Sequence, residues 1–287
     1  MQKIFEKINM LFGGRGIDKK FPVLLWIFKY VFAMTQKDLP ITVKTGYGKK
    51  LIVSARDAGL GLMLRTHSEY EPLLTEYLRA NVKQGDAAVD IGANVGYFTK
   101  QLSGLVGKKG KVVGFEPSDT NWKYLTKNVA GFSNVIIEKI ALGDSKGIQK
   151  FSEDSANPGE NGLSKSGKLQ VETTTMDGWM KAKLIKNINL IKIDVEGAEV
   201  MVLNGAKVMI RNQKKIIVIC EYNPEALLKL GYTTNDLIKS LRSCGLKIHE
   251  IIDERLKVKC DYTPKKLDMM LDKSAYVTLI AKGGHAK

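Results

Sequence analysis

The sequence predicts a doubly wound α/β fold built on a mostly parallel sheet. Three observations predict it. From residue 87 onward, short apolar runs of strand length alternate with helical segments, the rhythm of βαβ units. These runs are nearly continuous rather than alternating in polarity, as strands covered on both faces are. The first run passes through a glycine-bearing turn, Gly92 to Gly96, into a helix, and the second ends on an acid, Glu116.

The elements follow in order. Ile4, Phe5, Ile8, Leu11 and Phe12 recur at helical spacing over 3–12 and stop at Gly13-Gly14. Residues 21–36 read as a very apolar helix, with Pro22 in its first turn. Strands are expected at 41–45 and 50–54, joined by the turn-like GYGKK. Leu73, Leu74, Tyr77 and Leu78 mark an amphipathic helix over 70–82. Strands then fall at 87–92, 111–117, 134–142, 188–194, 215–222, 246–253 and 275–283, with helices to about 105, to about 130, after 194 and from about Thr234. Residues 143–187 interrupt the alternation with a polar, loop-like stretch between hairpin strands near 148–152 and 169–175. The expected organisation is an N-terminal extension of two helices and a hairpin, 1–66, before a domain of 67–287.

Composition sets outer limits. The chain has 287 residues, 44% hydrophobic and 26% charged, an ordinary globular balance that excludes a disordered tail, a fibre and a polytopic membrane protein. Its net charge is +15, and residues 1–50 carry ten Lys/Arg against Glu6, Asp18 and Asp38. Nucleic acid, anionic lipid and phosphorylated compounds therefore enter as partners. With mostly lysines and no Arg-rich tract, nucleic acid is not favoured. Three cysteines without metal spacing point to a reducing compartment, hence a cytoplasmic setting. FPVLLWIFKYVFAM, 21–34, is too short to span a bilayer and lacks a following A-x-A cleavage site. Flanked by Lys3, Lys7, Arg15, Lys19, Lys20 and Lys37, residues 1–36 suit either packing on the rest of the chain or peripheral contact with an anionic membrane.

The chemistry gathers at strand ends. Gly92 and Gly96 free the backbone to approach a ligand, and Asn94 adds an amide. Glu116 can accept from both ribose hydroxyls of an adenosine. Asp90, just before the turn, is unhelpful beside a pyrophosphate but suits a cationic amino group, which favours S-adenosylmethionine over a dinucleotide. No GxxxxGK[ST] supports ATP. Lys192, Asp194 and Glu196 alternate, so one face would carry all three; Asp194 is read either as a site residue or as half of a Lys192–Asp194 structural pair. Glu196 and Glu199 could equally be first-turn helix acids. His67 and His249 read as surface or packed residues, and Cys220 as a small core residue.

VDIGANVGYFT, GFEPS, IALGDSKG, TTTMDGWM, LIKIDVEGAEVMVLNGA and ICEYNP occur in this order. The sequence resembles the FkbM family of S-adenosylmethionine-dependent methyltransferases from about residue 67 to 224. The resemblance implies a Rossmann-like class I methyltransferase sheet of seven strands, the last antiparallel. It implies that Asp90, Gly92, Ala93, Asn94 and Gly96 hold the methionine moiety and Glu116 the ribose, while Pro117, Ser118, Ala141 and Leu142 line the adenine and ribose pocket. Asp194 would lie near the transferred methyl and Glu196 toward the acceptor, these two being the catalytic candidates; Glu71 and Glu221 are lesser ones. No metal set is assigned, since the spacing of Asp194 and Glu221 is not diagnostic. The acceptor implied is a hydroxyl of a sugar, glycolipid or related small molecule. An RNA or protein-lysine methyltransferase and a catalytically inactive cofactor-binding protein are the alternatives. Against base methylation, no (Asp/Asn)-Pro-Pro-aromatic motif follows the fourth strand.

Overall fold

The computed structural model describes residues 22–283 apart from Ser68, Ser155 and 184–186; the helix expected over 3–12 lies outside the described residues. Helix α1 (Pro22–Thr35) precedes the hairpin of β1 (Pro40–Lys44) and β2 (Lys50–Ser54). Helices α2 (Leu60–His67) and α3 (Pro72–Asn81) lead to β3 (Ala87–Ile91), α4 (Tyr97–Val106), β4 (Lys111–Phe115), α5 (Asp119–Val129) and β5 (Val135–Glu138). Next come β6 (Ala141–Leu142), β7 (Gly147–Ser152), β8 (Gly162–Leu163), β9 (Leu169–Thr174) and α6 (Met176–Lys183). The alternation resumes with β10 (Leu190–Ile193), α7 (Glu199–Gly205), α8 (Lys207–Asn212), β11 (Ile216–Tyr222), α9 (Pro224–Leu230), α10 (Thr234–Ser243) and β12 (Lys247–Asp253). Strand β13 (Val258–Asp261), α11 (Pro264–Leu271) and β14 (Val277–Gly283) complete the described fold.

The main sheet has the order β13-β12-β14-β11-β10-β3-β4-β5. Strands β11, β10, β3, β4 and β5 pair in parallel, and β14 runs antiparallel between β11 and β12. This is the expected doubly wound sheet with an eighth strand in place of seven. The addition, β13, makes an edge hairpin with β12 around Asp253, which accepts from the N–H groups of Arg255 and Leu256. VKCD has too little apolar content to announce a strand; ladder bonds to β12 supply what burial does not.

Each central strand buries both faces. Val89, Ile91, Ile191, Ile193, Val218 and Cys220 join the core on one side, while Ala88, Leu190 and Ile219 join that on the other. The strand expected over 134–142 is divided: β5 stays in the main sheet, and β6 pairs with β9 in a second, four-stranded sheet, β6-β9-β7-β8. Four helices the sequence reading omitted, α2, α6, α9 and α11, are short. The boundary expected after residue 66 falls inside α2. Core residues Val43, Leu51, Val53, Leu60 and Leu64 cluster with Leu78, Tyr97, Phe98 and Leu102 across it. Among the described residues, no helix is long and apolar enough to cross a membrane.

Candidate active site

The chain winds outward from β3 through β4 to β5 and later returns to β10 on the other side of β3, so the strand order reverses between β3 and β10. In open α/β sheets the crevice at the strand carboxyl ends forms there. A cleft of about 1310 Å³ lies at this point. Asp90 and Lys192 are register partners on β3 and β10, and Lys192 is level with Ile219 of β11. Asp194 and Glu221 lie two residues beyond Lys192 and Ile219, so strand period puts all four charged side chains on one face.

Asp90 is 1% exposed. Its Oδ2 accepts from Thr99 Oγ1 at 2.6 Å, and its Oδ1 is buried with no protein partner. Its register neighbour on β4 is Gly114, where a Cβ would stand 3.2 Å from Thr99 Oγ1. Glycine there leaves the Thr99 hydroxyl its place. Glu116 is 4% exposed and accepts from the N–H of Asn94 (2.8 Å) and of Ser118 (2.9 Å). Burial pushes its pKa up to about 7 despite these two N–H bonds.

The turn glycines also answer to neighbours within the chain. Gly92 has φ +82, and a Cβ on it would lie 1.8 Å from the carbonyl oxygen of Asp194. It is glycine because the β10 backbone passes against it. Gly96, with φ +90, caps α4 beneath Leu125, 2.8 Å from where a Cβ would be, and it does not line the cleft. Asn94 adopts φ +51 and bonds its own Oδ1 to the N–H of Val95. Ser118 is likewise behind the wall: its Oγ caps α5 by accepting from Asn121 N–H and donates to Glu153 at 2.5 Å. Ala93, Pro117, Ala141 and Leu142 line the cleft as expected, together with Asp90, Gly92, Asn94 and Glu116.

Acids collect at the other end. Lys192, 4% exposed, donates to Asp194 Oδ2 at 2.7 Å and sits 4.7 Å from the Phe98 ring centroid. Burial works against its charge, but Asp194, Asp90 and Glu71 outweigh burial and raise its pKa. Glu196 has left the strand for a left-handed turn, φ +54, yet its carboxylate, that of Asp194 and that of Glu221 all lie within 4.8 Å of one another. Burial first, then these mutual repulsions, lift Glu196 and Glu221 well above the usual carboxylate range. Glu71, at the left-handed N-cap of α3, is pushed up to about 8 by burial, against the pull of Lys192. Glu199 is fully buried and caps the same loop through the N–H groups of Val195 and Gly197.

Sequence reasoning missed three contributors. Residues 157–162 line the cleft, held there by hydrogen bonds: Asn121 donates to Pro158 O, Asn161 to Ser118 Oγ, and Ala58 N–H to Ala156 O. The turn chemistry of NPGEN signalled a loop but not where it lands. Tyr70 and Tyr276 also line the cleft, with Arg255 4.4 Å from the Tyr276 ring; nothing local marks them. His67 and His249 are exposed and outside the cleft, and Cys220 is core, as expected.

The model of the FkbM methyltransferase domain matches residues 90–248, more than half of the chain. The chain belongs to the FkbM methyltransferase family. A hexuronic acid methyltransferase of Haloferax volcanii is 29% identical over 131 residues, 45% of this chain and 53% of that protein, so the chain spans about half the length of this relative. Two solved structures are similar at lower identity. The fibrillarin of Aeropyrum pernix with bound S-adenosyl-L-methionine is 12% identical, covering 87% of this chain and 86% of that one, with TM-score 0.45. A SAM-dependent methyltransferase of Aquifex aeolicus is 15% identical, covering 74% and 88%, with TM-score 0.40. The FkbM family implies S-adenosylmethionine as cofactor, and the residues present fit it. The unpartnered, buried Asp90 Oδ1 suits an ammonium donor, and Glu116 at the end of β4 offers carboxylate oxygens to hydroxyl donors.

Proposed function

We propose that this protein transfers the methyl group of S-adenosylmethionine to a hydroxyl oxygen of a sugar or glycan. The carrying observation is the position of Asp194. It stands one residue past β10, paired to Lys192 at 2.7 Å, between the buried Asp90 and the carboxyls of Glu196 and Glu221. That is the junction between the cofactor end of the cleft and its acid-lined end.

When bound, S-adenosylmethionine supplies a methyl on a cationic sulfur, open to displacement by an aligned oxygen. Asp90 holds the amino group, Glu116 the ribose hydroxyls, and Ala93, Pro117, Ala141 and Leu142 enclose the rest. Asp194 would accept the proton of the acceptor hydroxyl, while the demethylated thioether of the cofactor would be the leaving group. Positioned proton removal of this kind contributes about 10²–10⁴-fold, and alignment of the reacting atoms contributes the rest. Glu196 and Glu221, raised by burial and by the acids around them, favour the protonated form more than free carboxyls do and would hydrogen-bond the other oxygens of a polyhydroxylated acceptor. Tyr70 and Tyr276 give that acceptor flat apolar faces. The relative's acceptor is a hexuronic acid by its name, which supports the sugar reading.

The test is turnover with methyl-labelled cofactor against uronic acid glycosides, neutral hexosides, RNA and protein, with the product located by NMR. Label on a sugar oxygen is expected. Label confined to a base nitrogen or a lysine would refute the hydroxyl assignment.

A further inference from the structure

We propose that the outer face of α1 docks on an anionic lipid bilayer. Ile27, Tyr30, Val31 and Met34 recur at intervals of three, one and three, which puts them on one stripe of the helix. They are 44%, 47%, 42% and 65% exposed, and Leu39 just beyond the helix is 55% exposed. The opposite stripe is satisfied: Phe32 is fully buried against Ala58 and Leu62, with Phe28 beside them. A surface helix ordinarily shows water its charged side; among its described side chains, α1 shows water an apolar stripe as well as burying one.

Charge selects the occupant. Residues 1–20 carry Lys3, Lys7, Arg15, Lys19 and Lys20 against Glu6 and Asp18, the exposed Lys37 follows the helix, and the chain as a whole is +15. A second copy docking through the same stripe would bring these cations against their own equivalents. An anionic headgroup layer draws them in, while the stripe enters the headgroup–acyl boundary, so the two contributions add. Phe28, on the buried side of the same helix, lines the cleft, so the docking helix also forms part of the cleft wall. On the proposed function, this brings the cleft near a lipid-attached glycan; the docking itself does not depend on that reading.

The experiment is sedimentation of the full chain with vesicles of phosphatidylcholine containing phosphatidylglycerol, and with vesicles of phosphatidylcholine alone. Co-sedimentation with the anionic vesicles at low ionic strength is expected, weakening as the Debye length shortens. The variant Ile27→Ser/Val31→Ser/Met34→Ser, with its melting temperature and cofactor affinity measured alongside, should bind about ten-fold more weakly or worse. The proposal is overturned by a full chain that stays in the supernatant or by a variant that binds as well as the native chain. It is equally overturned by sedimentation equilibrium showing a dimer that the variant breaks, since a second copy then covers the face. Vesicle binding that appears only after removal of residues 1–21 also overturns it, because that segment is then the occupant. Methyl transfer is assayed separately on soluble acceptors, so its failure would leave the docking result standing.

Discussion

Lys192 reaches Asp194 across 2.7 Å from within the sheet, its side chain 5% exposed while the Asp194 side chain keeps 26%. The pair read from sequence is present, and its carboxylate also lines the cleft: Lys192 is its buried anchor and the cleft its open side.

Asp194→Asn should lower kcat by 10²-fold or more, about the value of positioned proton removal, with cofactor affinity changed much less. Single-turnover kinetics with calorimetry separates the two. A variant with near-native kcat on an accepted sugar would return Asp194 to a purely structural pairing. Lys192→Met should instead lower stability by about 3–5 kcal/mol, because it strands acids around a vacated buried cation.

Glu116→Ala should weaken cofactor binding by about 1.5–3 kcal/mol, the range for hydrogen bonds to a charged group. The ribose hydroxyls prefer the ionised carboxylate. Since burial holds Glu116 at about 7, binding near pH 6 should release a proton, and affinity should rise as pH passes through about 7. Calorimetry in buffers of different ionisation enthalpy detects that proton, and its persistence in Glu116→Gln would refute the source.

Without cofactor, stability should fall with rising pH. Glu116 and Glu199 move from 4.5 to about 7 and Glu71 from 4.5 to about 8. The folded state therefore binds more protons than the unfolded one across this window. Their contribution is complete below about 4.5 and lost as pH climbs through 7 to 8. Melting temperatures from pH 5 to 8.5 should decline, and the triple Glu→Gln variant should flatten the decline. A parallel slope in that variant would remove these groups as the cause.

Gly92→Ala should unfold the protein rather than merely reduce ligand binding. The added carbon meets the Asp194 carbonyl at 1.8 Å and the residue sits at φ +82, so a loss of at least about 3 kcal/mol is expected. Thermal denaturation of the cofactor-free variant measures it; native stability with lost cofactor affinity would restore the ligand-approach reading.

We place the functional division of the chain before β1, not after residue 66. Asn128 of α5 accepts from Ile52 N–H and donates to the carbonyls of Ile52 and Val95, tying the hairpin to the glycine turn. Asn128→Ala strands these buried groups and should destabilise by about 1–3 kcal/mol. Residues 40–67 and the sheet should melt together in hydrogen exchange; separate transitions would restore the boundary at 66.

The sequence by itself determined the sheet class, the chain order of its strands and the acids Asp90, Glu116 and Asp194, because each is encoded locally: apolar runs of strand length, a turn where φ is positive, a charge at a strand end. It also singled out Gly92 for ligand approach, and the Asp194 carbonyl against it came only with the fold. Only the tertiary structure decided who stands opposite whom. The Asp194 carbonyl against Gly92, Glu221 beside Glu196, and Tyr70, Tyr276 and residues 157–162 around one cleft all join residues far apart in the chain. Even the raised acids are a product of assembly. A carboxyl's pKa responds to the water and charges within a few ångströms, and those are set by strand register and crossover, which no local pattern of side chains specifies.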